Sequence, residues 1–287
     1  MVYFCPTKGG IMRSYLLDLA KKHGFCRARA VRRGGSTLLL LTWSYIPFKR
    51  GERIPAYYLA SNKMYQAKLS LIEELREQGI AAEDADTSLK AEFIARGLAS
   101  PCLNGLVAMD ELGTRTILCG LSVNCDIGDE RETDSQCGSK LNGGCDKCMA
   151  CAKACPGGAI GPDGIDYSKC IRAGMNDTLH PITLANKLTT YMGCEVCQAV
   201  CHLNSHLGFA EPDEKTREAF ELRRLLTGDT KEARLLVGKN KSGSGKLTAQ
   251  AIAFASRDGG YESEIEGCLE SPFEDVRRVA EFFRNKA

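Results

Sequence analysis

The sequence predicts an α+β protein with three parts: an N-terminal α/β layer of helices and strands, a cysteine-rich middle and a helical tail. Three observations lead to this prediction. Helical and strand-like patterns alternate over roughly the first 130 residues, eight closely spaced cysteines lie between Cys145 and Cys201, and amphipathic helical segments follow them. The expected boundaries are 1–132 for the first part, 133–208 for the second and 209–287 for the third.

The N-terminal part is expected to contain two buried strands and three helices. Short apolar runs that end at turn residues indicate strands of a core sheet, and the leucines at 38–41 are the clearest case. Apolar residues spaced three and four positions apart and followed by glycine indicate helices with one buried face. The predicted helices cover 11–22, 67–75 and 87–96, and the predicted strands cover 36–46 and 116–123.

The tail is expected to contain a pair of short helices. Val276, Val279, Ala280 and Phe283 have the spacing of one buried face on a final helix, and Ile265 begins a similar face on the helix before it. A Ser-Pro pair separates the two faces and marks the break between the helices. We therefore expect a small helical module at the C-terminal end of the sequence.

The composition is that of an ordinary globular protein of 287 residues, with 44% hydrophobic and 26% charged residues. A net charge of +2 provides no global field that would attract nucleic acid, although a local basic patch still can. The longest apolar run is too short to cross a bilayer, and the first residues lack the layout of a signal peptide. Fifteen cysteines without such a signal indicate a reducing compartment, so we expect a cytoplasmic protein with no membrane segment.

The cysteines follow a spacing that is typical of proteins with two iron–sulfur clusters. The run from Cys145 to Pro156 reads C-x2-C-x2-C-x3-C-P. Bacterial two-cluster ferredoxins have this run, and its fourth cysteine ligates the other cluster. A lone Cys170 and a C-x2-C-x3-C run from Cys194 to Cys201 supply the remaining thiolates. The sequence therefore predicts a ferredoxin-like domain with two 4Fe-4S clusters.

The crossed ligation rule divides these cysteines into two sets of four. The first ligand set is Cys145, Cys148, Cys151 and Cys201. The second ligand set is Cys155, Cys170, Cys194 and Cys197. A structural zinc site would use only four of the eight thiolates, and disulfides between such close cysteines are unfavourable in a reducing compartment. Both alternatives leave the spacing unexplained, so two clusters are the preferred interpretation.

Five short segments outside the cysteines add a second pattern. They are Tyr-Ile-Pro at 45–47, Asp-Thr-Ser-Leu at 86–89, Ala-Arg-Gly-Leu at 95–98, Asn104 and Glu-Leu-Gly-Thr-Arg at 111–115. Together with the cysteines, they resemble the epoxyqueuosine reductases, which are cobalamin- and iron–sulfur-dependent relatives of the reductive dehalogenases. These enzymes act last in making the tRNA base queuosine. The tail resembles a shortened form of the family's HEAT-like helices.

The sequence departs from the family pattern in three places. The segment at 62–66 keeps only Tyr65 of the family's Gly-x-Asp-Tyr-His. The segment at 97–104 keeps the first two residues and the last of Gly-Leu-Gly-Trp-x-Gly-Lys-Asn. His202 follows the last cysteine where the family has proline. The first two changes fall where the family holds cobalamin and substrate, whereas all eight cysteines of the cluster domain match.

The resemblance implies an oxidoreductase in which a low-potential donor of the flavodoxin or ferredoxin type supplies electrons. They would pass through the two clusters to cobalamin, which would reduce an epoxide in a tRNA partner. Asp86 is the implied proton donor, a role for which burial must raise the pKa of a carboxyl; capping the helix that begins near Thr87 is its alternative. Tyr65, Asn104 and His202 are the implied cofactor contacts, and for His202 an ordinary surface position is the alternative.

Two other functions are compatible with the sequence. The altered cofactor segments suggest a paralogous reductase that uses the same electron path on another small substrate. An intact ligand set beside altered segments also suits a non-catalytic double-cluster electron carrier. The sequence does not determine the oligomeric state, the electron donor or the cluster potentials.

Overall fold

The computed structural model describes residues 9–49, 51–128, 144–176, 182, 187–238, 243 and 245–285. The chain divides into two compact units. The first unit comprises Met1–Tyr45, Lys63–Cys102 and Leu106–Cys145, and the second comprises Ile46–Asn62, Leu103–Gly105 and Asp146–Ala287. The division groups the tail with nearly all of the cysteine-rich segment, and the boundaries 1–132, 133–208 and 209–287 stay a prediction.

An antiparallel sheet of four strands is the centre of the first unit. The strands of this unit are β1 (Arg27–Arg33), β2 (Ser36–Ser44), β3 (Ala82–Asp84), β4 (Ser100–Pro101), β5 (Val107–Ala108) and β6 (Thr116–Val123). The order in the sheet is β1–β2–β6–β3, and β4 pairs separately with β5. The strands β1 and β2 form a hairpin whose two-residue turn places Gly34 at φ +59°, a conformation that favours glycine.

Two helices cover one face of this sheet, and a third helix covers the other face together with the β4–β5 pair. The helices are α1 (Gly9–Lys22), α2 (Ala56–Glu77) and α3 (Leu89–Ala95), and α2 begins within the second unit. Leu39 and Leu41 belong to the core formed with α1 and α2. Leu38 and Leu40 belong to the core that contains Phe93 of α3. Both faces of β2 are therefore buried, which explains why its leucines are consecutive rather than alternating.

Short elements carry the cysteines, and helices form the tail. The elements near the cysteines are α4 (Cys145–Cys148), α5 (Ala150–Ala154), β7 (Ile160–Gly161), β8 (Gly164–Ile165) and α6 (Val196–Ala199). The tail contains α7 (Glu214–Ala219), α8 (Leu222–Leu226), α9 (Lys231–Val237), α10 (Lys246–Asp258), α11 (Glu262–Gly267) and α12 (Glu274–Arg284). A shared apolar core in the second unit joins α10 and α12 to Tyr191 and Met192, which precede Cys194.

The structure confirms most of the predicted elements and adds several. The predicted face of α12 is buried at all four positions. The helix expected at 67–75 begins at Ala56, and the expected pair of tail helices is part of a six-helix arrangement in the described residues. Strand β1 was not predicted, because its four arginines hide the alternation of a strand. In the described part of the chain, no helix is long and apolar enough to span a membrane.

Candidate iron–sulfur centre

The four cysteines of the second ligand set lie close together in the second unit. The thiol of Cys194 interacts electrostatically with those of Cys155 and Cys170. The thiol of Cys197 interacts with the other three members of the set and with Cys151. Four cysteine thiolates are the donor set that a 4Fe-4S cluster takes. The donor chemistry of these residues therefore fits the predicted cluster.

The buried environment of these thiols disfavours the free thiolate. Burial raises the pKa of Cys194, and it raises the pKa of Cys197 to about 12, with the neighbouring thiols acting in the same direction. Iron binds the thiolate, so cluster assembly at this site must displace protons from buried thiols. The backbone N–H of Val196 and the side chain of Thr189 donate hydrogen bonds to the Cys194 sulfur and lower its pKa. Such donors also tune the potential of a bound cluster.

Two ligand-bearing loops of the second set approach each other at Gly157. A Cβ atom at this position would lie 2.3 Å from the backbone oxygen of Lys169, the residue before Cys170. The backbone that follows Cys155 therefore packs directly against the backbone that leads into Cys170. The N–H of Ala159 also donates a hydrogen bond to the Cys155 sulfur at 3.3 Å. These contacts fix the positions of Cys155 and Cys170 relative to each other.

The first ligand set is arranged along short helical segments. Cys145 is buried and begins α4, Cys148 is exposed and ends it, and Cys151 lies in α5. Cys201 precedes a short 3-10 helix at His202–Asn204. None of the described cysteines forms a disulfide. No three Cys, His, Asp or Glu side chains among the described residues converge as a single metal ion would require. A 4Fe-4S cluster does not need such convergence, because each of its cysteines binds a different iron atom.

Asp86 lies in the segment between β3 and α3, where its side chain is exposed. The N-cap of α3 is Ser88, so the alternative that Asp86 caps this helix is wrong. The segment is seated on β6: the N–H of Ala85 donates to the carbonyl of Gly120 at 3.0 Å, and a Cβ atom at Gly120 would collide with Leu89. The role of Asp86 as a proton donor stays a prediction, and it requires burial beyond that of this conformation.

A buried lysine near this segment was missed by the sequence analysis. The Nζ of Lys68 donates to both carboxylate oxygens of Asp84, at 2.6 and 2.8 Å, and it lies 5.0 Å from the centre of the Tyr65 ring. Lys68 is 8% exposed. Burial also raises the pKa of the nearby Cys119 thiol to about 11, with an opposing influence from Lys68. The one-dimensional pattern contains no signal for this pairing, since Asp84 has the features of an ordinary surface residue.

The three predicted cofactor contacts do not fit a corrinoid as a set. Tyr65 belongs to the first unit and is 46% exposed, and His202 belongs to the second unit and is also exposed. Asn104, in the second unit, is only 4% exposed. A cofactor the size of cobalamin needs side chains that are accessible at a cleft, and the Asn104 amide is not accessible in this conformation. We therefore derive no chemical step through cobalt.

Comparison with known proteins agrees with this arrangement. Residues 144–204 match the 4Fe-4S double cluster binding domain. An epoxyqueuosine reductase from Francisella cf. novicida (strain Fx1) is 44% identical over 66 residues, which are 22% of this chain and 18% of that protein. The matched segment thus spans under a fifth of that relative's length.

Solved structures resemble the chain over nearly its whole length. An epoxyqueuosine reductase in complex with an epoxyqueuosine-modified tRNA-Tyr stem loop superposes with a TM-score of 0.71 at 18% identity, over 97% of this chain and 91% of the other. The Bacillus subtilis epoxyqueuosine reductase superposes with a TM-score of 0.59 at 16% identity, over 97% and 99%. These matches confirm the resemblance predicted from the sequence: the chain has the fold of the epoxyqueuosine reductases and contains a 4Fe-4S double cluster binding domain.

Proposed function

We propose that this chain is an iron–sulfur oxidoreductase of the epoxyqueuosine reductase type. The observation that carries the proposal is the proximity of the four thiols of the second ligand set inside a segment that matches a double-cluster domain. Two clusters in series provide a path for single electrons from a low-potential donor of the flavodoxin or ferredoxin type. The overall fold supports a reductase rather than a ferredoxin, because the N-terminal unit is a layered domain of its own.

The proposed substrate is an epoxide in a tRNA base. One solved structure of this fold contains an epoxyqueuosine-modified tRNA stem loop. Reduction of an epoxide to an alkene consumes two electrons and two protons, and the oxygen leaves as water. The clusters supply the electrons singly, and Asp86 is the proposed source of one proton.

The position of the Asp86 segment bears on this proton transfer. The Bacillus subtilis structure has its catalytic aspartate loop swung out of the active site. We infer that the exposed Asp86 segment represents a comparable open state, and that a bound substrate would cover it. Covering the carboxyl would remove it from water, which favours its protonated, proton-donating form.

A non-catalytic electron carrier is the second candidate function. The burial of Asn104 favours it, because a chain that does not bind a corrinoid would have no need to expose that amide. A paralogous reductase of another small substrate would have the same electron path, and it would bind cobalamin without reducing the tRNA base.

The decisive experiment begins with anaerobic reconstitution of the clusters. Cob(II)alamin is then titrated into the protein while its electron paramagnetic resonance spectrum is recorded. A change in the cobalt signal that saturates at one corrinoid per chain supports the reductase, and no change supports the electron carrier. Reduction of an epoxyqueuosine-modified stem loop, read by nucleoside mass spectrometry, separates the proposed enzyme from a paralogue.

Crossed ligation is tested with a matched pair of variants. Cys201→Ser should remove the cluster held by the first ligand set, and Cys197→Ser should remove the cluster held by the second. Each variant should lose about half of the bound iron, with a different cluster signal remaining in each case. Loss of the same signal in both variants would contradict the assignment.

A further inference from the structure

We propose that the tail helix α10 is a clamp for the second cluster, and that Gln250 is its positioning residue. The proposal rests on the assignment of the second ligand set and is independent of the substrate. The side chain of Gln250 is 2% exposed and lies within the core that joins the tail to the loops carrying the ligands. Its carboxamide contacts both of these loops.

The first contact is made to the loop that leads into Cys194. The Oε1 atom of Gln250 accepts a hydrogen bond from the backbone N–H of Met192 at 2.6 Å. Met192 has φ +55°, a left-handed conformation that is unfavourable for a residue other than glycine. It lies in a tight turn in which Thr190 pairs with Gly193. A buried N–H in a strained turn needs a partner, and Gln250 is the partner here.

The second contact is made to the segment that follows Cys170. The Nε2 atom of Gln250 lies 3.4 Å from the sulfur of Met175, which is 6% exposed. One side chain of the tail therefore bonds to Met192, two residues before Cys194, and to Met175, five residues after Cys170.

Further contacts from the same helix support the turn. Arg257 donates a hydrogen bond to the carbonyl of Leu188 at 2.9 Å. The ring of Phe254 packs edge-on against Tyr191, with 5.0 Å between the centroids. The backbone carbonyl of Arg53 accepts a hydrogen bond from the N–H of Tyr191, and the Arg53 side chain forms a bidentate ion pair with Asp258 at the end of α10. Leu188, Tyr191 and Met192 thus each contact a residue of α10.

This arrangement predicts that the tail controls the stability of one cluster selectively. The turn at 190–193 must keep its shape for Cys194 and Cys197 to reach the same cluster as Cys155 and Cys170. Loss of the Gln250 contacts should make the cysteines of the second cluster accessible and leave those of the first cluster protected.

The test measures the anaerobic alkylation rate of each cysteine in the reconstituted full chain by iodoacetamide and peptide mass spectrometry. Chelator-treated apoprotein defines the unprotected rate. Gln250→Met conserves the side-chain volume but removes both polar contacts. In this variant, we expect the cysteines of the second ligand set to be alkylated about tenfold faster than in the wild type. An unsatisfied buried donor lowers the population of the closed state by about a factor of ten or more. The first ligand set should react at the wild-type rate.

Two further variants make the result decisive. Arg257 is itself exposed, and Arg257→Met removes its part-buried hydrogen bond to Leu188, two residues before the turn. The cysteines of the second set should then be alkylated about threefold faster. Ser256→Ala changes an exposed position of the same helix and should leave the alkylation rates of both sets unchanged. Equal acceleration of both sets, or no acceleration in Gln250→Met and Arg257→Met, would overturn the proposal; Arg257→Met alone decides if Gln250→Met does not fold. Unprotected cysteines in the wild type would instead refute the cluster assignment on which the proposal rests.

Discussion

Replacing Gly157 with alanine should remove the second cluster while the first is retained. The added Cβ atom would lie 2.3 Å from the backbone oxygen of Lys169, where contacts below 3.0 Å are essentially never seen. The obstacle is backbone rather than the end of a flexible side chain, so it cannot rotate away. The loop that carries Cys170 must therefore move away from the loop that carries Cys155.

The size of the effect follows from this geometry. The two loops must separate by about 0.7 Å to reach the minimum contact distance. Overpacking of this kind costs about 1–3 kcal/mol, which corresponds to about a 5- to 150-fold loss in the population that can bind the cluster. Ligand geometry tolerates such a displacement poorly, because all four thiolates must reach one cluster.

The assay compares iron content and the cluster signals of Gly157→Ala with those of Gly161→Ala. Gly161 is the matched control, because a Cβ atom there meets nothing within 4 Å and the residue has no positive φ. Gly157→Ala should retain about half of the wild-type iron, and Gly161→Ala should retain all of it. Wild-type iron content in Gly157→Ala, or equal losses in both variants, would refute the reasoning.

Three other predictions concern stability. Asp84→Ala leaves the buried Lys68 ammonium unpaired and should lower the free energy of unfolding by about 2 kcal/mol, whereas Lys68→Met should cost less; chemical denaturation measures both. The Arg53 hydrogen bond holds the pKa of Asp258 below its ordinary 3.8. The contribution of this ion pair to the free energy of unfolding is therefore present above about pH 4 and is lost as the pH falls further. Asp258→Asn should therefore be less stable at pH 7 and lose less stability than the wild type on acidification in thermal unfolding. Phe283→Ala, at a buried tail position, should cost about 3–5 kcal/mol, and the half-buried Phe282→Ala clearly less.

The features that the sequence alone determined are local in the chain. Iron–sulfur ligation requires cysteines at short fixed intervals, so the run from Cys145 to Pro156 was sufficient to predict clusters. Strands β2 and β6 were predicted because buried strands are continuous apolar runs. The face of α12 was predicted because helix periodicity places its four apolar residues on one side.

The features that only the tertiary structure decided depend on residues distant in the chain. Strand β1 is a strand because β2 pairs with it, and its four arginines hid the local pattern of a strand. Asp84 accepts hydrogen bonds from Lys68, a residue that helix packing buries. Gln250 contacts Met192 across 58 positions, and no local pattern marks a buried glutamine as a partner of a strained turn. Spacing along the chain defines which residues can ligate, whereas close packing between distant segments decides where those ligands are held.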